Sequence, residues 1–425
     1  MIFPAGPEDL PETVPLEWAG ETCSVARQPI LNQSGRLHAY ELLFRDSSGL
    51  ATNVCGEAVL GPLVDETVVF GLDRFTNGFP AFVACSPVAL TGQFLRILPP
   101  ERTILTLPES TEPTEELLEA CRNLKTRGFR IAVDDFTGKI HPLVELADYV
   151  RVDFSRHDTA GCGPLAQWLG ESPAAMVAKR VQTDEDYRRA VFEGFTLFQG
   201  DFLFRPALVK NRKVPANRLF HFEILRNLYR DTVDLKRLSS LVSRDASLTY
   251  RLLRLVNSPI CALRQEVRSV EAAIIIVGVD TFRRFATLAI LGECNAGQQP
   301  EILRMALLRA RFCELASHMA KLDPSEQYLL GMLSLLSVML RVPMSELTPA
   351  LPLREDVRGA LEGAHVRERC LLDWLEHHEH GEWRACDEIV RDNHLVCDRL
   401  TRSYADAVVW SHAALRSTEA AAEPV

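Results

Sequence analysis

The 425-residue chain lacks three features that would settle its class at once. It has no long apolar run: the most apolar helix-like stretch, residues 329–340, is too short for a bilayer and contains Ser334 and Ser337. It has no basic excess. A net charge of −10 argues against a general nucleic-acid binder and against charge-driven attachment to anionic membranes. Its 11 cysteines form no Cys-x-x-Cys pair and no zinc-ligand spacing, so they read as reduced core thiols. Residues 1–20 are acidic and Pro-rich, without the basic and apolar segments of a secretory signal, and read as a flexible leader. These absences set the expectation of a cytoplasmic protein with neither membrane nor nucleic acid among its partners.

What is present is an ordinary globular composition, 47% apolar and 24% charged, in a chain long enough for two or three domains. In residues 21–210 strand and helix patterns alternate. Strands are expected at 24–30, 37–44, 81–85, 103–107, 129–134, 149–153, 175–180 and 196–199, and helices at 54–75, 88–97, 112–127, 142–147, 164–169 and 184–192. Such alternation predicts a closed, largely parallel (β/α)8 barrel of the TIM type. The first two strands, joined through Asn32-Gln-Ser-Gly35, read as a hairpin and make the barrel irregular. A short basic, Pro-containing segment, Lys210-Asn-Arg-Lys-Val-Pro215, marks a boundary. Beyond it, residues 211–416 show apolar side chains at three- and four-residue spacing, for example Leu329, Met332, Leu333, Leu336 and Leu340, and read as an all-α domain. Residues 417–425, rich in Ala and Glu, read as a disordered tail. The fold class is therefore α/β plus all-α.

The barrel is organised around Phe129-Arg-Ile-Ala-Val-Asp-Asp135, a buried strand ending in two aspartates. Adjacent carboxylates repel unless a cation neutralises them. Magnesium does so in phosphoryl-transfer sites, a helix cap or a nearby arginine elsewhere, and the dipeptide alone admits both. A barrel of this type carries its chemistry at the C-terminal strand ends. The residues there are Glu41, Ala84, Cys85, Thr106, Asp134, Asp135, Arg151, Asp153, Lys179 and Gln199. Arg151 and Lys179 can neutralise the aspartates without metal, so salt bridges from Asp134 or Asp135 to these cations are expected.

Tyr40-Glu-Leu-Leu43, Val133-Asp-Asp-Phe136, Val150-Arg-Val-Asp153, Ala178-Lys-Arg-Val-Gln-Thr183 and Phe198-Gln-Gly200 fall in the order of the EAL domain, which residues 21–210 resemble. That resemblance implies a modified TIM barrel of the bacterial cyclic di-guanylate phosphodiesterases, with two magnesium or manganese ions. The departures are specific. Glu41, Asp134 and Asp135 stand as remnant metal ligands. The expected asparagine ligand is Ala84, the expected glutamate of the fourth strand is Thr106, and the water-positioning lysine is Arg151. The general-base glutamate is Lys179, the second glutamate of that motif is Gln182, and Gln199 is retained. Alanine offers no ligand, threonine a neutral oxygen, and lysine accepts no proton at neutral pH unless its pKa falls by several units. The expectation is no catalytic residue, no bound metal and no enzymatic activity. Residues left for ligand binding are Arg27, Gln28, Glu41, Leu43, Arg45, Asp134, Asp135, Asp153 and Gln199. Arg27 and Arg45 read either as phosphate donors for cyclic di-guanylate or as rim salt bridges.

In the helical half, Leu252-Leu-Arg-Leu-Val-Asn-Ser-Pro259, Val267-Arg-Ser-Val-Glu-Ala-Ala273 and Val277-Gly-Val-Asp-Thr-Phe-Arg-Arg-Phe285 resemble the HDOD domain, a relative of HD phosphohydrolases without their metal ligands. Where an active relative has Gly-Leu-Leu-His-Asp, this chain reads Gly331-Met-Leu-Ser-Leu335. The one His-Asp dipeptide, His157-Asp158, lies in the barrel half, and His377-His-Glu-His380 reads as a solvated helix end, not a metal site. Arg244, Arg251, Arg254 and Arg264 read as a solvated helical face. The order EAL-like then HDOD resembles bacterial signalling proteins of the YuxH type. It implies a non-catalytic adaptor in cyclic di-guanylate signalling. Its partners would be proteins, a second copy of the chain among them, and cyclic di-guanylate itself. The alternative is a weak phosphodiesterase that uses Mg2+ or Mn2+ on Glu41, Asp134, Asp135 and Asp153.

Overall fold

The computed structural model describes residues 24–45, 67–91, 95, 98–139, 141–156, 173–205, 216–229, 233–257, 267–295, 297–351 and 353–422. The expected leader, the helix over 164–169, His157-Asp158, the boundary segment 210–215, Asn257-Ser-Pro259 beyond Asn257, and Arg264 fall wholly or in part outside them.

The alternating half closes as expected. Eight strands, β1 (Ser24–Asn32), β2 (Leu37–Arg45), β3 (Ala81–Ala84), β4 (Thr103–Pro108), β5 (Arg130–Asp134), β6 (Tyr149–Asp153), β7 (Ala175–Lys179) and β8 (Leu197–Phe198), form one closed barrel in sequence order. β1 is antiparallel to both β2 and β8, and every other pairing is parallel. The hairpin is closed by Asn32, whose side chain accepts hydrogen bonds from the Ser34 and Arg36 amides, while Gly35 takes a positive φ of 72°.

Period-two alternation sorts each strand into an inward and an outward set. One inward layer consists of Ile30, Ala39, Phe82, Ile104, Ala132, Tyr149, Val177 and Leu197, a dry plug one residue deep from every strand. Phe82 and Tyr149 meet edge to face at 5.1 Å within it. The next inward residues lie two positions further toward the C-terminal ends of the parallel strands. They are Glu41, Ala84, Thr106, Asp134, Arg151, Lys179 and Gln199, with Gln28 from the reversed β1. The candidate site is this layer, floored by the apolar one.

The second half is helical, but the chain does not divide where the change of period does. Over the described residues, one compact unit lies within Leu16–Ala207 and Asp373–Val408, and the other within Leu208–Leu372 and Val409–Val425. The helices Cys370–Glu379, Trp383–Asp392 and the start of Cys397–Ala422 thus belong with the barrel for the most part, whereas periodicity groups them with the other helices. The last helix also continues to Ala422 through most of the segment read as a tail, its final turns being rich in alanine, the strongest helix former. The helix-like apolar stretch 329–340 is divided between two helices, Pro324–Leu333 and Leu336–Leu340, because Ser334 turns its hydroxyl onto the Gly331 carbonyl at 2.8 Å and Leu335 leaves helical geometry. Among the described residues no single helix is long and apolar enough to cross a membrane. No disulfide joins the described cysteines, and all of them but Cys397 are buried.

Gly331, where a catalytic relative would lead into its His-Asp pair, has a packing reason here. A Cβ on it would lie 2.4 Å from the Arg309 carbonyl oxygen, so the helix Pro324–Leu333 approaches Pro300–Ala320 backbone to backbone. Gly331→Ala is expected to cost about 1–3 kcal/mol, the range for overpacking, measured as a lowered midpoint in urea.

Candidate functional site

The site is assembled from strand ends that local sequence fixes in place. After β5, Asp135 takes φ 54°, a left-handed conformation that aspartate tolerates, and its amide donates to Asp134 Oδ1 at 2.8 Å. The Phe136 amide then donates to the Arg151 carbonyl at 3.0 Å, which ties the β5 end to β6. After β7, Thr183 and Asp186 form a reciprocal capping box that starts the helix Asp184–Phe192 directly behind Lys179. After β8, Gly200 has φ 143°, and a Cβ there would lie 2.3 Å from the Val181 carbonyl oxygen, so only glycine lets the chain pass. That passage aims Gln199 inward.

Arg151 is the hub, with no exposed surface. Its Nη2 lies 2.7 Å from Glu41 Oε1 and donates to Gln199 Oε1 at 2.9 Å, its Nη1 donates to Asp134 Oδ2 at 3.3 Å, and its guanidinium carbon stands 5.3 Å over the Phe82 ring. Lys179 Nζ donates to both oxygens of Asp134, at 2.7 and 2.8 Å, and reaches Asp135 at 3.4 Å. Gln199 turns its amide nitrogen to Glu41 Oε2 at 2.5 Å and to Gln28 Oε1 at 2.7 Å. The pairing expected of the aspartates with Arg151 and Lys179 therefore forms, with Glu41 drawn in as well. Burial alone would raise the Asp134 carboxyl, but the charges of Arg151 and Lys179 outweigh it and hold the group below its ordinary value. On Arg151, burial disfavours the charge and the carboxylates of Asp134 and Glu41 more than restore it. Glu41, Asp134 and Asp135 are the carboxylates that could hold a hard cation, and the first two are shared with Arg151. Thr106 Oγ1 is buried with no hydrogen-bond partner among the described residues.

Other expected site residues lie elsewhere. Asp153 is at the rim, where its oxygens take the Ser155 amide and hydroxyl and face Arg180 at 3.1 Å and Arg156 at 3.4 Å. Arg27 is on the outward set of β1. It is 1% exposed, stands 4.6 Å over the outward Tyr40 ring, and donates to the Phe75 carbonyl, so it is no mouth residue. Gln182 is exposed, and Cys85 is outward and buried, its thiol pushed up to about 12 by desolvation. Gln28, Leu43 and Arg45 do lie at the mouth.

The histidine cluster departs from a solvated helix end. His377 Nδ1 faces Glu382 at 2.5 Å, at the surface. His378 is fully buried, stacked at 4.6 Å on Trp374, and burial lowers its pKa to about 3. His380 lies 2.7 Å from Asp201, and that hydrogen bond raises its pKa to about 9. Sequence reading took His380 as part of a solvated end and did not single out Asp201 or Asp387, which pairs with Arg45 at 2.7 Å. The available signal was a histidine beside a glycine turn, which points to a fixed side chain as readily as to a frayed end. In the helical unit Arg251 pairs with Glu293 at 2.9 Å and Arg254 lies over Tyr250, as a solvated face requires.

Downstream of the eight-stranded barrel, residues 215–356 match the HDOD domain. The chain is a homologue of YuxH of Bacillus subtilis, with 27% identity over 402 residues, 91% of this chain and 98% of that one. It is equally a homologue of the cyclic di-GMP phosphodiesterase CdgJ of Vibrio cholerae, with 29% identity over 409 residues, 93% of this chain and 94% of that one. Among solved structures it is similar to Klebsiella pneumoniae BlrP1 in a calcium and cyclic di-GMP complex, at 19% identity and a TM-score of 0.37, covering 46% of this chain and 60% of that one. It is also similar to the EAL domain of Mycobacterium smegmatis DcpA, at 19% identity and a TM-score of 0.35, covering 42% and 90%.

Two measurements test the site. Arg151→Met strands Glu41 and Asp134 without their shared cation and is expected to cost about 3–5 kcal/mol, with Arg151→Met/Asp134→Asn recovering part of it in urea unfolding. The His380–Asp201 pair favours the protonated imidazole in the folded chain. Its contribution is full below the ordinary value of 6.5 and is lost as pH rises through about 9. His380→Gln should flatten that alkaline decline in Tm.

Proposed function

We propose that the chain is a non-catalytic signalling adaptor in cyclic di-GMP signalling that works through protein contacts. The observation that carries this reading is the closed charge network of Glu41, Arg151, Asp134 and Lys179. Two carboxylates and two cations cancel one another in a layer whose remaining members, Ala84, Thr106, Gln28 and Gln199, are neutral.

A hydrated divalent cation does not fit this donor set. Magnesium is held by one or two carboxylates among waters and phosphate oxygens, in a near-octahedral shell. Between Glu41 and Asp134 it would have to displace the Arg151 guanidinium, which has no solvent to move into. Nor does a general base stand at the β7 end. Lys179 is a cation donating to both oxygens of Asp134, and it accepts no proton in that state. The 29% identity to CdgJ, a cyclic di-GMP phosphodiesterase, supports reading the barrel as an enzyme scaffold that carries an ion-paired core at its strand ends. Adaptor function then resides in surfaces, with the HDOD domain as the second one.

The second reading, a weak phosphodiesterase, is favoured by that same homology and by the survival of Glu41, Asp134 and Asp135. Incubation of the full chain at high concentration with cyclic di-GMP and Mg2+ or Mn2+ decides between them. The expected outcome is intact dinucleotide. Metal-dependent formation of the linear product, abolished in Asp135→Ala, would overturn the adaptor reading. Calorimetric titration of cyclic di-GMP with and without metal then tests whether the adaptor also senses it, a flat trace meaning it does not.

A further inference from the structure

The β1–β2 hairpin is longer than the other strands, and its inward row continues past the charge network. Above the paired Gln28 and Glu41 come Ala26 with Leu43, then Ser24 with Arg45. The segment Asp373–Val408 meets this row at successive levels. Gln28 Nε2 donates to the Glu379 carbonyl at 3.0 Å. A Cβ built on Gly381 would lie 3.0 Å from Leu43 Cδ1, so the turn between two helices rests its backbone on that side chain. Arg45 makes two parallel hydrogen bonds to Asp387, at 2.8 and 2.7 Å. Ser24 Oγ lies 3.1 Å from Thr401 Oγ1. Asp201, two residues beyond Gln199, holds His380 on the far side of the turn at 2.7 Å.

We infer that Asp373–Val408 is a built-in cap on the barrel mouth, and that it competes with a cyclic dinucleotide for Gln28, Leu43 and Arg45. The chemistry is that of a replaced ligand. Asp387 supplies the bidentate pair of anionic oxygens that a phosphate would offer an arginine, and the Glu379 backbone carbonyl takes an amide proton that a base edge would otherwise take. Gln28 is engaged at both ends, its oxygen by Gln199 and its nitrogen by the cap. Gly381 makes the fit possible: with φ 70° it turns the chain sharply and leaves room for Leu43, and any side chain there would meet both obstacles. An apolar anchor stands behind these contacts, with Trp374, Trp383 and Tyr404 all buried around His378. The segment lies beyond residues 215–356, so the HDOD match does not account for it. The inference rests on the adaptor reading only in naming the excluded ligand; the cap itself stands whether or not the barrel hydrolyses anything.

The test is a charge swap in the full chain, read by hydrogen exchange. Asp387→Arg and Arg45→Glu should each speed amide exchange across Asp373–Val408 by about tenfold, equivalent to about 1.4 kcal/mol of local stability, and Arg45→Glu/Asp387→Arg should restore it. In parallel, Ser24→Cys/Thr401→Cys should cross-link under oxidation, identified by peptide mapping. Exchange unchanged in both single variants, or a double-cysteine chain that never cross-links, overturns the cap. Cyclic di-GMP titration then reads the competition. Asp387→Arg should bind at least about tenfold tighter than the parent, and the cross-linked chain should not bind. Equal affinity in all three overturns the competition. No binding by any of them also overturns the competition and removes the sensor part of the proposed function, while swap-sensitive exchange leaves the cap itself standing. Catalytic turnover would instead overturn the adaptor reading and leave the cap standing.

Discussion

A guanidinium with no exposed surface has to be matched by anions from the protein itself, because a buried charge left alone costs several kcal/mol. Arg151 meets this requirement with Glu41 from β2, Asp134 from β5 and the amide of Gln199 beyond β8. These three contacts join parts of the barrel far apart in the chain. They give the two carboxylates a partner in a layer where Ala84 and Thr106 offer none. Carboxylates that could hold a cation from solution are here paired with a cation carried on β6.

The network also sets how the rest of the mouth is organised. Gln199, aimed inward because Gly200 alone can pass Val181, accepts from Arg151 with its amide oxygen and donates to Glu41 and Gln28 with its amide nitrogen. Gln28 in turn reaches the segment Asp373–Val408. A continuous polar chain thus runs from the buried cation to the covering helices, each member hydrogen-bonded to the next, while Arg151 Nε has no partner among the described residues. The apolar layer beneath, with Phe82 and Tyr149 at its centre, keeps water from entering this chain from below.

Much of the barrel was legible in the sequence because the parallel strands are short and their period is two. Once Tyr149 is placed inside, Arg151 follows, and the same step from Val177 and Ala132 yields Lys179 and Asp134. Residues at the ends of that count were less legible. Asp153 shares the inward parity, yet at the rim it has exposed arginines within reach and turns to Arg180 and Arg156. Arg27 falls on the other parity and packs over Tyr40. The helical half was legible as helices and as an HDOD-like pattern, while breaks such as Ser334-Leu335 depend on one hydroxyl choosing the Gly331 carbonyl.

By itself the sequence determined the alternation that closes the barrel, the hairpin that makes it irregular, the identity of the charged layer, and its balance of two cations against its carboxylates. These follow from periodicity and side-chain chemistry, which are local. Only the tertiary structure decided which core the last helices join. An amphipathic helix records that one of its faces must be covered, and not by what. Placing Asp373–Val408 with the barrel took Gly381 against Leu43, Asp387 against Arg45 and His380 against Asp201. Those contacts span more than 170 residues of chain, and no local pattern encodes them.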